Sequence, residues 1–108
     1  MAKKSKINIE VTLDDKNIPE NIKWSAEDAG EAMQDTKSIS IGIWDEKKKD
    51  TLMLDLWTDN MSMEEMKQFH VNLLGSSAST LLSATGDEFM SSEISNLCEK
   101  LVKYLNEK

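Results

Sequence analysis

The chain has 108 residues, of which 39% are hydrophobic and 31% charged, so it is a globular protein of one domain, residues 1–108, rather than a disordered segment. Its formal net charge of −7 disfavours binding to nucleic acid. A single cysteine excludes an internal disulfide, and no apolar run is long enough for a membrane span, so we expect no membrane insertion and a cytoplasmic location.

The first half of the chain begins with two predicted strands. Residues 6–14 (KINIEVTLD) alternate between apolar and polar side chains, which is the period of a strand with one buried face. Residues 21–25 (NIKWS) repeat the pattern after a turn that contains Pro19. We expect these two strands to form a hairpin, and we expect the acidic segment of about 26–37, which carries no period, to be a mobile loop.

A second predicted hairpin follows. Residues 37–45 (KSISIGIWD) and 50–58 (DTLMLDLWT) both alternate, and the short polar segment between them forms a tight connection. The apolar side chains on the shared face of this hairpin are Ile39, Ile41, Ile43, Leu52, Leu54 and Leu56.

After residue 60 the apolar period changes to that of a helix, predicted over residues 62–85. Ser62 and Glu65 match a capping box, and Gly86 is placed to end the helix. The predicted buried stripe is Met63, Met66, His70, Leu73, Leu74, Ser77, Leu81 and Ala84, with Phe69 on its flank. Around Gly75 either the helix kinks or its small residues let another backbone approach closely.

A second helix is predicted from a cap at Ser91 or Ser92 to about Asn106, with Cys98 as an inert thiol on its apolar side. The element order is therefore β-β-β-β-α-α. It predicts an α+β fold, in which a four-stranded antiparallel sheet carries two C-terminal helices on one face.

The opposite face of that sheet carries the candidate site. Trp44, Met53, Asp55 and Trp57 fall on it, and we call this set the Trp face. Exposing such large apolar side chains to water is unfavourable, so we expect another surface to cover them. A second copy of the chain, the acidic loop or N-terminal tail, or a different protein could supply that cover, with Asp55 as a polar anchor or as an ordinary surface carboxylate.

No residue pattern indicates an enzyme. Phosphate-binding loops, nucleophile elbows and metal-ligand spacings are missing, so we expect no catalytic residues, no metal and no cofactor. The single histidine, His70, is interpreted as a core residue of the first helix, and a pocket with His70 in a convergent polar site remains the enzymatic alternative.

Several short segments of the sequence resemble the gliding-motility protein GldC family of Bacteroidetes. They are IWD at 43–45, TLMLDLWT at 51–58, EM at 65–66 and TGDEF at 85–89, together with the opening segment 6–30. The resemblance covers nearly the whole chain, and the combination of these segments is more specific than any single one of them.

The resemblance implies a small accessory protein of gliding motility and the associated secretion machinery, without established catalytic residues. We therefore expect a non-enzymatic protein that acts by self-association, a dimer being favoured, and by binding protein partners among motility or secretion components. The order of strands and helices also resembles a SecB-type export chaperone subunit, which makes the binding of extended polypeptide the alternative.

Overall fold

The described residues of this computed structural model are 2–30 and 32–107. They form five strands, with a short 3₁₀ helix at Glu27–Ala29 after the second strand, followed by two α-helices. The bounds are β1 Ile7–Leu13, β2 Pro19–Ala26, β3 Gln34–Thr36, β4 Ser38–Asp45, β5 Asp50–Trp57, α1 Met63–Thr85 and α2 Glu88–Asn106. The chain divides into two compact units, Met1–Met61 and Ser62–Lys108, which are described separately. One domain over residues 1–108, with helices covering one sheet face, stays a prediction.

The α+β class is confirmed, but the single four-stranded sheet is wrong. The strands β1, β2 and β3 form one antiparallel sheet in that order, and β4 and β5 form a separate two-stranded hairpin. The extra strand β3 lies inside the segment predicted as a mobile loop, where it pairs with β2 through Ile22 and Thr36. A bend at Lys37 then separates β3 from β4. Glu31, in the same predicted loop, lies outside the described residues.

The three-stranded sheet is centred on Ile22, whose side chain is completely buried. Ile22 lies on the middle strand, opposite Val11 of β1 and Thr36 of β3, so it is enclosed from both sides. The turn between β1 and β2 is held by Asp14, whose Oδ1 accepts backbone amides from Lys16 at 2.8 Å and Ile18 at 3.0 Å. This local bonding confirms the predicted first hairpin.

The β4–β5 hairpin is confirmed, and its tip closes on Asp45. The Asp45 carboxylate accepts hydrogen bonds from the backbone amides of Lys47 and Lys48. The backbone carbonyl of Asp45 accepts one from the amide of Lys49 at 2.9 Å. Lys49 takes up the left-handed conformation, at φ 53°, that a tight hairpin connection requires. At the other end, the Thr58 amide donates to the Lys37 carbonyl at 2.8 Å and extends the pairing by one bond.

The first helix begins and ends where its sequence predicts. Ser62 and Glu65 form a complete capping box, and Gly86 adopts the left-handed conformation just after the last turn. The helix is continuous through Gly75, where an added Cβ would lie 3.6 Å from the Cys98 sulfur of α2. The Cys98 side chain of α2 therefore lies at ordinary contact distance from this position, while a kink or a close approach of another backbone near Gly75 stays a prediction.

The buried stripe of α1 is rotated from the predicted one. The buried side chains are Val71 and Ala78, whereas His70 and Ser77, which the 3.6-residue period placed in the core, are exposed. The stripe is rotated because α2 packs against α1 along the small residues of α1. The Cys98 thiol of α2 donates to the Val71 carbonyl of α1 at 3.5 Å. The spacing of apolar residues does not show which small residues pack closely against another helix. We call this close contact between α1 and α2 the seam.

The second helix starts earlier than predicted. Asp87 is its N-cap and accepts the Met90 amide at 2.9 Å, so Ser91 lies within the helix rather than before it. Ser91 is buried, and its hydroxyl donates to the Ala78 carbonyl at 3.0 Å. The serine that resembled a cap is a polar contact of the α1–α2 seam.

Candidate functional site

The β4–β5 register places the four Trp-face residues on one side of the hairpin. Each of them lies opposite a smaller residue of the other strand. The pairs are Trp44 with Thr51, Gly42 with Met53, Ser40 with Asp55, and Ser38 with Trp57. The tryptophans therefore lie at opposite ends of the face, with Met53 and Asp55 between them, as the alternation predicts.

The apolar members of the Trp face are exposed. Trp44 exposes 65% of its surface, Trp57 54% and Met53 53%. At the usual size of such side chains, this amounts to roughly 400 Å² of apolar area in water. The largest apolar patch on a typical monomeric protein measures about 300–600 Å² and often marks a binding site, and the exposed area of the Trp face lies in that range.

In the middle of the Trp face, the Met53 side chain lies over Gly42 of the neighbouring strand. A Cβ built on Gly42 would lie 3.3 Å from the Met53 sulfur, closer than nearly all such contacts. Glycine at position 42 therefore leaves room for the methionine side chain to cover the backbone between the two tryptophans. Methionine is flexible and polarisable, and it is common at surfaces that bind several partners.

Asp55 is the polar residue of the Trp face, and its neighbour is a serine. The Ser40 hydroxyl donates to Asp55 Oδ1 at 2.6 Å across the two strands. The carboxylate remains exposed, with further acceptor capacity directed to solvent. It can accept a donor from a docked protein without losing the bond to Ser40.

The opposite face of the hairpin is not sealed along its whole length. Ile39, Ile41 and Leu56 are half-buried, but Ile43, Leu52 and Leu54, nearer the tip, are exposed. The sequence predicts all six to be buried, and for these three it is wrong. Alternation assigns a side chain to a face, but a two-stranded hairpin gives each residue one cross-strand neighbour and little lateral cover.

A groove that the sequence did not reveal lies where the hairpin meets the first sheet. This root groove has a volume of about 440 Å³. Its lining includes Leu13, Ile18, Pro19, Asp55, Trp57 and Asp59. Asp55 and Trp57 lie on the same side of β5, and Asp59 follows in the turn after the strand, so two carboxylates lie beside the apolar residues of the groove. One sequence signal was available: Ile18 is an isolated apolar residue in a polar turn.

His70 lies beside a second groove, of about 370 Å³, between α1 and α2. The apolar residues lining it are Met66, Val71, Leu74, Leu101 and Leu105, joined by Lys67 and Tyr104. His70 meets the ring of Phe69 edge-on at 5.7 Å. Among the described residues lining this groove there is no carboxylate, hydroxyl of serine or threonine, or thiol to pair with the imidazole. Lys67 and Tyr104 are the other residues with a polar group at this groove, and its remaining lining is apolar.

Within residues 2–30 and 32–107, no three side chains of His, Cys, Asp or Glu come together as a set able to hold a metal ion. Neither α1 nor α2 combines the length and the apolar character needed to cross a membrane.

Comparison with known proteins identifies a family. The model of the gliding motility-associated protein GldC-like family matches residues 19–107, which include the whole Trp face. No curated protein and no solved structure matches the chain. Because the matched segment is most of the sequence, the chain belongs to the gliding motility-associated GldC-like family.

Proposed function

We propose that this member of the GldC-like family is a cytoplasmic, non-enzymatic accessory protein of gliding motility and the associated secretion machinery. It acts by self-association and by binding protein partners through the Trp face. The observation that supports this proposal is the exposure of Trp44, Met53 and Trp57 on one side of the β4–β5 hairpin.

The shape and composition of the Trp face favour a protein partner over a small ligand. Small molecules bind in concave pockets that enclose most of their surface, whereas Trp44, Met53 and Trp57 are each more than half exposed on one side of the hairpin. Tryptophan and methionine are enriched at the centres of protein interfaces, where charged residues are depleted. A single hydrogen-bonded carboxylate, Asp55, in an otherwise apolar patch supplies orientation for a docked surface.

The test is gliding in a bacterium whose own gene for this protein is replaced by variants. The double variant Trp44→Ser/Trp57→Ser is expected to lose most gliding, since truncating an interface tryptophan commonly weakens a complex about tenfold or more. Both side chains are more than half exposed, so the fold does not depend on them. Gliding is measured as colony spreading and single-cell speed.

The matched control is Phe89→Ser, which removes another exposed aromatic side chain, in the first turn of α2. It is expected to leave gliding unchanged, with all proteins present at equal amounts by immunoblot. Normal gliding with the double tryptophan variant at native abundance would rule out the Trp face as the functional surface.

A SecB-like chaperone is the second candidate, and the exposure of apolar residues on both faces near the hairpin tip favours it. Among the described strands, β4 and β5 pair with each other alone, so an extended polypeptide could add along an edge. An equimolar amount of protein would then suppress the aggregation of reduced insulin, and Trp57→Ala would weaken the suppression. Unchanged light scattering with the native chain excludes this candidate.

A further inference from the structure

We infer that the root groove binds an arginine side chain, together with a neighbouring apolar side chain, of an extended segment of a partner protein. This inference rests on the partner binding proposed above and names the chemistry of the partner. The groove lies within the first compact unit, where the turn between β1 and β2 and the end of β5 line it.

The two segments that form the root groove carry an excess of negative charge. Residues 13–19 and 55–59 contain one lysine, Lys16, and four acidic residues, which are Asp14, Asp15, Asp55 and Asp59. Counting the flanking Glu20 and Lys37, which line a neighbouring polar pocket, leaves this excess unchanged. The region therefore attracts a cationic group and disfavours an anionic one.

Two of these carboxylates are available to a bound cation. Asp14 is used within its own turn, where its carboxylate accepts two backbone amides. Asp55 and Asp59 instead line the groove, and both are exposed. The Ser40 hydroxyl donates to Asp55 Oδ1 at 2.6 Å, which holds the carboxylate in place and leaves its second oxygen for another donor.

Trp57 favours arginine over lysine as the bound cation. Asp55 and Trp57 lie on the same side of β5, two residues and roughly 7 Å apart along the strand, and more than half of the tryptophan is exposed. A guanidinium group is planar and weakly hydrated, so it can stack on an indole ring while its N–H groups donate to a nearby carboxylate. The ammonium group of lysine is compact and strongly hydrated, so it stacks less well.

The rest of the groove provides apolar contact for an adjacent residue of the partner. Leu13 and Ile18 are partly exposed there, and Pro19 and Leu56 complete the apolar lining. The volume of about 440 Å³ is in the lower part of the range of about 300–1,000 Å³ for pockets that enclose a small ligand. The groove therefore fits a few side chains of a peptide, an arginine beside an aliphatic residue, rather than a folded surface.

A second copy of this chain does not supply such a group. All 13 basic residues of the chain are lysines, and the sequence contains no arginine. The three consecutive lysines at 47–49 are flanked by Asp45, Glu46 and Asp50, so the tip of the hairpin is formally neutral. The arginine must therefore come from a different protein.

The experiment is a titration of the full chain with synthetic peptides, followed by calorimetry and by NMR of the tryptophan indole N–H groups. The probes are acetylated and amidated Gly-Leu-X-Leu-Gly peptides, in which X is arginine, lysine or citrulline, the neutral isostere of arginine. The arginine peptide is expected to shift the Trp57 signal to saturation and to leave that of Trp44, at the other end of the hairpin, unchanged. The citrulline peptide is expected to bind at least about tenfold more weakly and the lysine peptide about threefold more weakly.

Neutral variants of single carboxylates locate the site. Asp55→Asn and Asp59→Asn are each expected to weaken binding of the arginine peptide about fivefold or more, because each removes a charged acceptor while keeping the side-chain shape. The matched control is Asp15→Asn, which removes an exposed carboxylate of the same region that does not line the groove. It is expected to change the Kd less than about twofold. An unshifted Trp57 signal in each free variant shows that the fold is kept.

Five results would overturn the inference. They are equal binding of the arginine and citrulline peptides, a shift of Trp44 alone, no shift at about 1 mM peptide, a loss with Asp15→Asn as large as that with Asp59→Asn, and free arginine binding as tightly as the peptide. A Trp57 signal that moves on dilution of the native chain, with no peptide bound, would assign the groove to a second copy and contradict the inference as well.

This inference and the proposed function can fail separately. If Trp44→Ser/Trp57→Ser abolishes gliding and no arginine peptide binds, the arginine site is excluded and the docking function stands. If the arginine peptide binds in the groove but the double tryptophan variant glides normally, the arginine site is supported and the docking function is excluded.

Discussion

Ile22→Ala is expected to lower the free energy of unfolding by about 3 kcal/mol, since removing buried methyl groups costs both their transfer from water and the cavity left behind. Ile22 has no exposed surface and lies on the middle strand of the first sheet. Among the described residues the other buried apolar side chains, Val71 and Ala78, belong to α1, so Ile22 is the buried apolar centre of the strands. This loss is a large fraction of the stability of a small domain.

The measurement is urea denaturation followed by far-ultraviolet circular dichroism. The matched control is Ile7→Ala in β1 of the same sheet, where the side chain is 73% exposed, and the expected change is below about 0.5 kcal/mol. Equal losses for the two variants would contradict the placement of Ile22 at the centre of the sheet.

Ser91→Leu is expected to destabilise the helical hairpin by about 3 kcal/mol, the combined cost of overpacking and of one lost hydrogen bond. Ser91 is buried where α2 crosses Ala78 of α1, and its hydroxyl bonds the Ala78 carbonyl. A leucine needs room that this seam does not have. Ser91→Ala removes the bond without adding volume, so its cost is expected to be about 1 kcal/mol.

The neighbouring residue supplies the control, because Ser92 is exposed on the same turn of α2. Ser92→Leu is expected to change the free energy of unfolding by less than about 0.5 kcal/mol, measured by the loss of helical circular dichroism in urea. If Ser91→Leu unfolds at the same urea concentration as Ser92→Leu, the seam is not as close as the structure has it.

Local patterns predicted the elements whose stability is itself local. The β4–β5 hairpin follows from strict alternation, and its Trp face is the other half of the same alternation. The capping box at Ser62 and the stop at Gly86 depend on bonds within a few residues, so a short stretch of sequence contains all their parts. Two of the segments that resemble the GldC-like family, IWD at 43–45 and TLMLDLWT at 51–58, lie in the β4–β5 hairpin.

The features that sequence reasoning missed depend on residues far apart in the chain. The strand β3 consists of polar residues with no period and exists because β2 offers it an edge. The second helix was predicted to begin at Ser91 or Ser92, but its N-cap is Asp87. The prediction was wrong because a serine that caps a helix and a serine buried inside one look alike in the sequence. The root groove unites Leu13 and Ile18 with Trp57 and Asp59, about forty residues later, which no periodicity connects.

From its amino-acid sequence alone, this protein was defined as an acidic α+β member of its family with an aromatic face on one hairpin. Alternation and capping are properties of neighbouring residues, so they are readable without coordinates. The division into two sheets, the exposure near the hairpin tip, the close seam of small residues between α1 and α2, and the acidic groove beside Trp57 all needed the folded chain. Each of these features depends on which segment, distant in the sequence, packs against a given residue. The burial of a side chain is set by that neighbour and not by the position of the residue in a sequence pattern.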